Sequence, residues 1–183
     1  MITGIHRNGF TLLELLTVIA VVGILTAIGV PSYRYVIDSS RMAAEINALL
    51  GDLQFTRAEA VKEGQTVTAC VSADTVRCAG NAAWSSGWIV FSDPNANAQA
   101  DAGESVLRVQ KTFVGTDSFM ASNGVSAITF NREGFATAIP NGTLITLRDA
   151  TASTSRTRCL AITLVGLMTS QLYGTTTNGV TCT

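Results

Sequence analysis

Charged side chains are scarce in this sequence: they make up 14% of its 183 residues, where a globular chain carries roughly 25%. The two signs nearly cancel, 12 basic residues against 13 acidic ones, for a formal net charge of −1. A chain so balanced has no global field to draw nucleic acid or anionic lipid, so any such binding has to be local. Histidine is missing apart from His6, which removes the commonest general base and metal ligand from nearly the whole chain. There is no nucleophile elbow, no phosphate-binding glycine loop and no cluster at metal-ligand spacing. An exported enzyme is therefore the least supported class, and neither catalysis nor a cofactor is expected. Internal repeats and long low-complexity tracts are absent too, although Thr175 to Thr183 reads as a polar tail.

What the chain has instead is apolar content, 47% of residues, concentrated near the start. From Phe10 to Val30 it reads FTLLELLTVIAVVGILTAIGV, 21 residues with one charge. As a helix this stretch spans about 31 Å, the thickness of a bilayer core. The preceding MITGIHRNG carries Arg7 and the starting amine with no acid, so the positive-inside bias places residues 1–9 in the cytoplasm and everything after Val30 outside it. A secretory signal has an apolar core of only about 7–15 residues. This run is longer and contains Glu14, a residue whose insertion at a helix centre costs roughly 2.5–3.5 kcal/mol. An anchor with a use for its acid fits better than a signal peptide.

Past Pro31 the helical pattern continues: Met42, Ile46, Leu49, Leu50, Leu53 and Ala60 recur at three- and four-residue intervals, with Arg41, Glu45, Asp52, Arg57, Glu59 and Lys62 on other faces. The spacing predicts one amphipathic helix to about Glu63, stopped by Gly64, which takes up the left-handed cap conformation at least cost. Pro31, Gly23 and Gly29 predict a bend or local loosening between Gly23 and Pro31. Beyond Gly64 the texture changes to β-favouring runs: TVTACVS, GWIVFSD, SVLRVQKTF, SAITFN, TLITLR and RCLAITLVG. Alternation in Val106 to Phe113 predicts an antiparallel sheet with one covered face, and the apolar stripe of the helix is its natural cover. Asn123-Gly124 and Asn141-Gly142 are turn signals, the second leading into a strand. The fold class is thus α+β, a long N-terminal helix packed on an antiparallel β-sheet head. The expected divisions are a leader at 1–9, a transmembrane helix at 10–31, an amphipathic helix at 32–64 and a β-rich head at 65–183.

Four cysteines, Cys70, Cys78, Cys159 and Cys182, form an even set behind a membrane segment, which favours oxidised pairs outside the cytoplasm. Three pairings are open. Cys70 with Cys78 and Cys159 with Cys182 is preferred, because each closes a sequence-local loop. Trp84, Trp88 and Phe91 read as core and rim aromatics. Asp93, Asn95, Asn97, Asp101 and Glu104 stand at the first, third, fifth, ninth and twelfth positions of an EF-hand-type calcium loop. Ala98 occupies the position where that loop's sharp turn requires glycine, Pro94 stiffens its start, and the flanks read as strands. A solvated polar turn is the expected state, with calcium as the alternative.

Gly9 followed by Phe10-Thr11-Leu12-Leu13-Glu14 and a long apolar run resembles the processing motif of type IV prepilins and type II secretion pseudopilins. The resemblance implies cleavage after Gly9 by a prepilin peptidase and N-methylation of Phe10 as the first mature residue. It also implies a carboxylate, Glu14, that pairs with a terminal amine in the assembled filament. The head resembles the GspH/FimT group of minor pilins and pseudopilins through LLGDLQFTRAEAVKEGQTVTACVS at 49–72, WSSGWIVFSDPNANAQADAGESVLRV at 84–109, AITFNREGFA at 127–136 and RCLAI at 158–162. These head stretches are less specific than the N-terminal motif.

The implied partners are other pilins in a filament, the prepilin peptidase and, before assembly, the inner membrane. The implied destination is a cell-surface pilus or a periplasmic pseudopilus. Some FimT-like members take up DNA through a basic Gly-Arg-x-Arg-like element near the C-terminus. This chain reads Gly166-Leu167-Met168-Thr169 there and has no Lys or Arg after Arg158. Arg132, Arg148, Arg156 and Arg158 remain as candidates for a basic patch, so DNA is a partner to test but not the favoured one. The expected function is a structural, tip-associated minor pilin. A DNA receptor and a secretion pseudopilin are the alternatives.

Overall fold

The structure, a computed structural model, describes residues 10–113 and 115–183, so the leader and Gly9 lie outside the described residues. Helix α1 (Leu12–Glu63) runs for 52 residues and continues through Gly23, Gly29 and Pro31. It stops where the sequence places the stop. Gly64 has φ +68° and its N–H donates to the Ala60 carbonyl at 3.0 Å, the left-handed closure that glycine makes without a Cβ penalty.

Among the described residues eleven strands follow: β1 (Val67–Val71), β2 (Gly87–Ser92), β3 (Val106–Lys111), β4 (Ser118–Ala121), β5 (Ala127–Phe130), β6 (Ala136–Thr137), β7 (Thr143–Arg148), β8 (Arg158–Ile162), β9 (Met168–Leu172), β10 (Thr176–Thr177) and β11 (Val180–Thr181). They form a five-stranded sheet ordered β3-β2-β1-β5-β6, a four-stranded sheet ordered β4-β7-β8-β9, and the small ribbon β10-β11. Every pairing is antiparallel. The chain divides into two units, one ending at Ser39 and the other running from Ser40 to Thr183.

Within the second unit Met42, Ile46, Leu49, Leu53 and Ala60 line one face of α1. They join one core with Val67, Ala69 and Val71 of β1, Trp88 and Val90 of β2, Phe119 of β4, Ile128 and Phe130 of β5, Ile145 and Leu147 of β7, and Leu160 and Ile162 of β8. The alternate positions of these strands face the helix, as the two-residue period of a pleated strand requires. Burying each large apolar side chain contributes about 1.5–3 kcal/mol before ordering costs. At one end of the core Trp88 meets Trp84, Phe113 and Phe119 at centroid distances of 6.3, 5.6 and 6.3 Å in tilted and edge-on geometries, the arrangement aromatic quadrupoles favour.

The expected single sheet with one covered face is corrected in two ways. There are two principal sheets, and β1 and β2 are buried along their whole length. The face turned away from the helix has a small core of its own in each sheet. In the five-stranded sheet it is Cys70, Ile89 and Phe91 with Cys78, Ala100 and Ala127 against them. In the four-stranded sheet it is Leu144, Cys159, Ala161 and Cys182 with Val180. A disulfide fastens each of these, Cys70–Cys78 with its Cα atoms 5.5 Å apart and Cys159–Cys182 with 5.6 Å. One staple per sheet thus holds a loop or tail over the second face. β3, from which the alternation was read, is an edge strand on which Val106 and Val109 stay exposed.

Candidate functional site

The first residues of α1 form the best-defined functional segment. Thr11 caps the helix: the Glu14 N–H donates to its Oγ1 at 3.2 Å, and its carbonyl accepts the Leu15 N–H at 3.2 Å. Thr11-Leu12-Leu13-Glu14 has the Thr-x-x-Glu spacing of a capping box. Glu14 also sits in the first turn, where the positive end of the helix dipole favours an acid. Thr11 was not singled out from the sequence, although this spacing was the signal for it. Phe10 is exposed directly before the cap.

From Leu12 to Ile37 the large apolar side chains are all exposed, and the most apolar window of 18 residues has a mean hydropathy of 2.4 with 0% of it buried. The backbone is satisfied within the helix, and the threonine hydroxyls fold back onto it: Thr17 donates to the Glu14 carbonyl at 2.9 Å and Thr26 to the Val22 carbonyl at 2.9 Å. From Leu15 to Pro31 this surface is compatible with hydrocarbon or with other helices, because its two hydroxyls are bonded back to the helix and it carries no charge.

In the second unit the five candidate calcium-loop residues come together in one turn, and their oxygens are turned inward to the turn itself. Asp93 is fully buried. Its Oδ1 accepts from the Asn97 N–H at 3.1 Å, and its Oδ2 accepts from the Ala98 N–H at 3.0 Å and the Thr68 hydroxyl at 2.7 Å. Asn95 and Asn97 both donate side-chain amides to Asp101 Oδ2, at 3.1 and 2.7 Å, and the Asp101 N–H donates to Glu104 at 2.9 Å. Those amide bonds from Asn97 and Asn95 hold the Asp101 carboxyl below its ordinary pKa. Among the described residues no group of three or more His, Cys, Asp or Glu is arranged to hold a metal ion.

The four candidate arginines do not share one surface. Arg132 pairs with its neighbour Glu133 at 2.8 Å. Arg148 donates to the Thr183 carbonyl at 3.0 Å. Arg156 is locked onto the buried Asp149, which also accepts from the Ser153 N–H at 2.9 Å and from Thr151 at 2.9 Å. Burial pushes the Asp149 carboxyl up, but these hydrogen bonds and the guanidinium outweigh it and hold it below the usual range. Arg158 lies opposite Leu147 in the β7–β8 register, so Arg148, one residue further along β7, points to the other face of the sheet.

Where a DNA-reading element would fall, the turn before β9 exposes Leu164, Val165 and Leu167. Arg57 of α1 clamps this turn to its neighbour, donating to the Gly134 carbonyl at 2.9 Å and the Gly166 carbonyl at 3.0 Å. A Cβ on Gly166 would come within 2.3 Å of the Gly134 oxygen, so the close approach requires glycine.

Two more polar clusters tie α1 to the sheets. Asp52 accepts from Trp88 Nε1 at 2.9 Å and from Arg108 at 2.8 Å, while the Arg108 guanidinium lies 3.8 Å from the Phe55 ring centroid. Arg41 pairs with Asp117 at 3.1 Å beside the buried Glu45, whose Oε2 accepts no hydrogen bond among the described residues. Burial, then the nearby Asp117, raise the Glu45 carboxyl above its ordinary pKa against the opposing pull of Arg41.

A helix start capped by Thr11, an exposed apolar half-helix and a disulfide-stapled head describe the pilin architecture. Residues 45–166 match the family of the type II transport protein GspH, and residues 5–30 match the prokaryotic N-terminal methylation motif. The first match covers more than half of the sequence, and the chain belongs to the GspH family. Its fold is also that of the type IV minor pilin FimU of Pseudomonas aeruginosa strain PAO1. One crystal form aligns with a TM-score of 0.54 and 20% identity, covering 72% of this chain and 91% of FimU. A second gives 0.54 and 22%, with 73% and 86% covered. The chain is thus a type IV pilin-like subunit of the minor pilin and pseudopilin kind.

Proposed function

We propose that this chain is a minor, tip-associated subunit of a type IV pilus, structural and without catalysis, inserted into the filament through the N-terminal half of α1 after a prepilin peptidase cuts between Gly9 and Phe10. The observation that carries this reading is the helix half-buried by its own chain. Its C-terminal half lies in a finished core, and its N-terminal half, capped by Thr11 and bearing one acid, exposes its large apolar side chains among the described residues. Before assembly the inner membrane covers that half, with the amino terminus in the cytoplasm; afterwards the helices of neighbouring subunits do. Glu14 then pairs with a terminal ammonium, which offsets the cost of holding a carboxylate among apolar helices. DNA reception is disfavoured because Arg132 and Arg156 are paired with acids and Arg148 and Arg158 point to opposite faces of their sheet.

A periplasmic pseudopilin is the second reading, favoured by the GspH match itself. The test is a Glu14→Ala variant. It is expected to be cleaved to a chain starting at Phe10 by mass spectrometry and yet to be lost from sheared filaments. Normal incorporation of the variant contradicts the charge-pair role, and a mature chain starting elsewhere contradicts the whole reading. Immunogold label on the head, expected at pilus ends, separates tip from shaft.

A further inference from the structure

Glu14 and Arg34 bracket 19 uncharged residues, Leu15 to Tyr33. On a helix the two charges are about 30 Å apart along the axis, the thickness of the hydrocarbon core. Arg34 is flanked by Tyr33 and Tyr35, exposed by 69% and 47%. Between the two charges the threonines Thr17 and Thr26 are bonded back to the helix, so no polar side chain there needs water until Ser32. A tyrosine ring with its apolar body and polar tip suits the headgroup level of a bilayer, and an arginine extends its guanidinium to the same level.

We propose that Tyr33-Arg34-Tyr35 is an interfacial anchor that fixes the depth of the subunit in the membrane and thereby sets Glu14 at the opposite headgroup layer. The partner is a phospholipid surface, recognised by aromatic rings at the ester level and by a cation at the phosphates. In the membrane-resident state the Glu14 carboxylate then remains hydrated at the inner face. Its desolvation occurs on entry into the filament, where an ammonium is at hand. This inference rests on the membrane-anchored reading above and assigns that reading its depth.

The test uses the full chain in phosphatidylcholine vesicles whose acyl chains carry bromine either near the headgroup or near the chain end. Two single variants report depth by tryptophan quenching: Ile24→Trp, midway between the charges, and Tyr33→Trp. Trp84 and Trp88 are fully buried in the head and form a constant background. The expected result is that Ile24→Trp is quenched more by the deep bromines and Tyr33→Trp more by the shallow ones. Equal, deep quenching of both overturns the anchor, and so does a Tyr33→Trp signal untouched by either lipid while Ile24→Trp stays deep. If Ile24→Trp itself escapes both lipids, the membrane-anchored reading falls and takes the anchor with it.

Discussion

The two halves of α1 use one kind of backbone for opposite purposes. From Met42 to Ala60 the buried apolar residues Met42, Ile46, Leu49, Leu53 and Ala60 share one face, and that face is packed against both sheets. From Leu12 to Ile37 apolar residues surround the helix, and the large ones are exposed among the described residues. The first half-helix needs a partner surface on every side, the second on one side only. That difference separates a segment whose environment comes from outside the chain from one whose environment the chain supplies. It also explains why polar side chains differ between them. The buried face admits Glu45 and Thr56, held or tolerated inside a protein core, whereas the exposed half carries two threonine hydroxyls folded onto its own carbonyls and keeps its charges near its ends, Glu14 at the capped start and Arg34 towards the other end.

The comparison breaks if the two halves respond alike to truncation. Leu49 is fully buried and Leu16 is 57% exposed. Leu49→Ala is expected to destabilise the head by about 2–5 kcal/mol through lost burial and the cavity left behind, and Leu16→Ala to leave head stability unchanged. Chemical denaturation of the full chain in detergent, followed by the fluorescence of Trp84 and Trp88, reads both. Equal losses would mean that the N-terminal half is stabilised from within the chain after all. A smaller effect tests the staples. Replacing Cys159 and Cys182 by serine opens a loop whose ends are 23 residues apart in sequence, for an expected loss of about 3 kcal/mol on the chain-entropy account. Because this bond fastens only the face turned away from the helix, near-ultraviolet signals of the tryptophan cluster should persist below the new unfolding midpoint. Their loss in the absence of denaturant would show that the second face is integral to the first.

Much of this division was legible in the sequence because it rests on local period and composition. The apolar run, the three-and-four spacing from Met42 to Ala60 and the stop at Gly64 are all short-range patterns, and the helix follows them. Strands β1, β2, β3, β5, β7 and β8 were visible for the same reason, their runs holding β-branched, aromatic or alternating apolar residues. β4, β6, β9, β10 and β11 were not. Ser118 to Ala121 and Met168 to Leu172 carry no run of β-branched residues, the two-residue strands are too short to show a period, and all are extended where long-range or hairpin partners pair with them. The second cores were hidden likewise, since nothing near Cys70 or Cys159 says which loop will lie over it. In the candidate site the motif residues Phe10 and Glu14 were plain, while the Arg57 clamp was not, because its acceptors are the backbone carbonyls of two distant glycines.

The smallest expected effect concerns the polar exception on the buried face. Glu45 is 5% exposed, and its carboxyl is raised above its ordinary pKa of 4.5 by burial and by Asp117, with Arg41 opposing. A raised acid binds its proton more tightly folded than unfolded. Its ionisation therefore costs stability above the folded pKa, and the cost is relieved as pH falls through that value towards 4.5. Below 4.5 the acid is protonated in both states and contributes nothing further. Glu45→Gln removes the titration while keeping the shape, so it is expected to raise the urea midpoint near neutral pH and to match the parent protein below 4.5. A variant less stable at neutral pH and equal in acid would instead mean that Arg41 holds Glu45 charged. The buried face would then carry a working ion triad, and the contrast between the helix halves would rest on charge as well as on apolar cover.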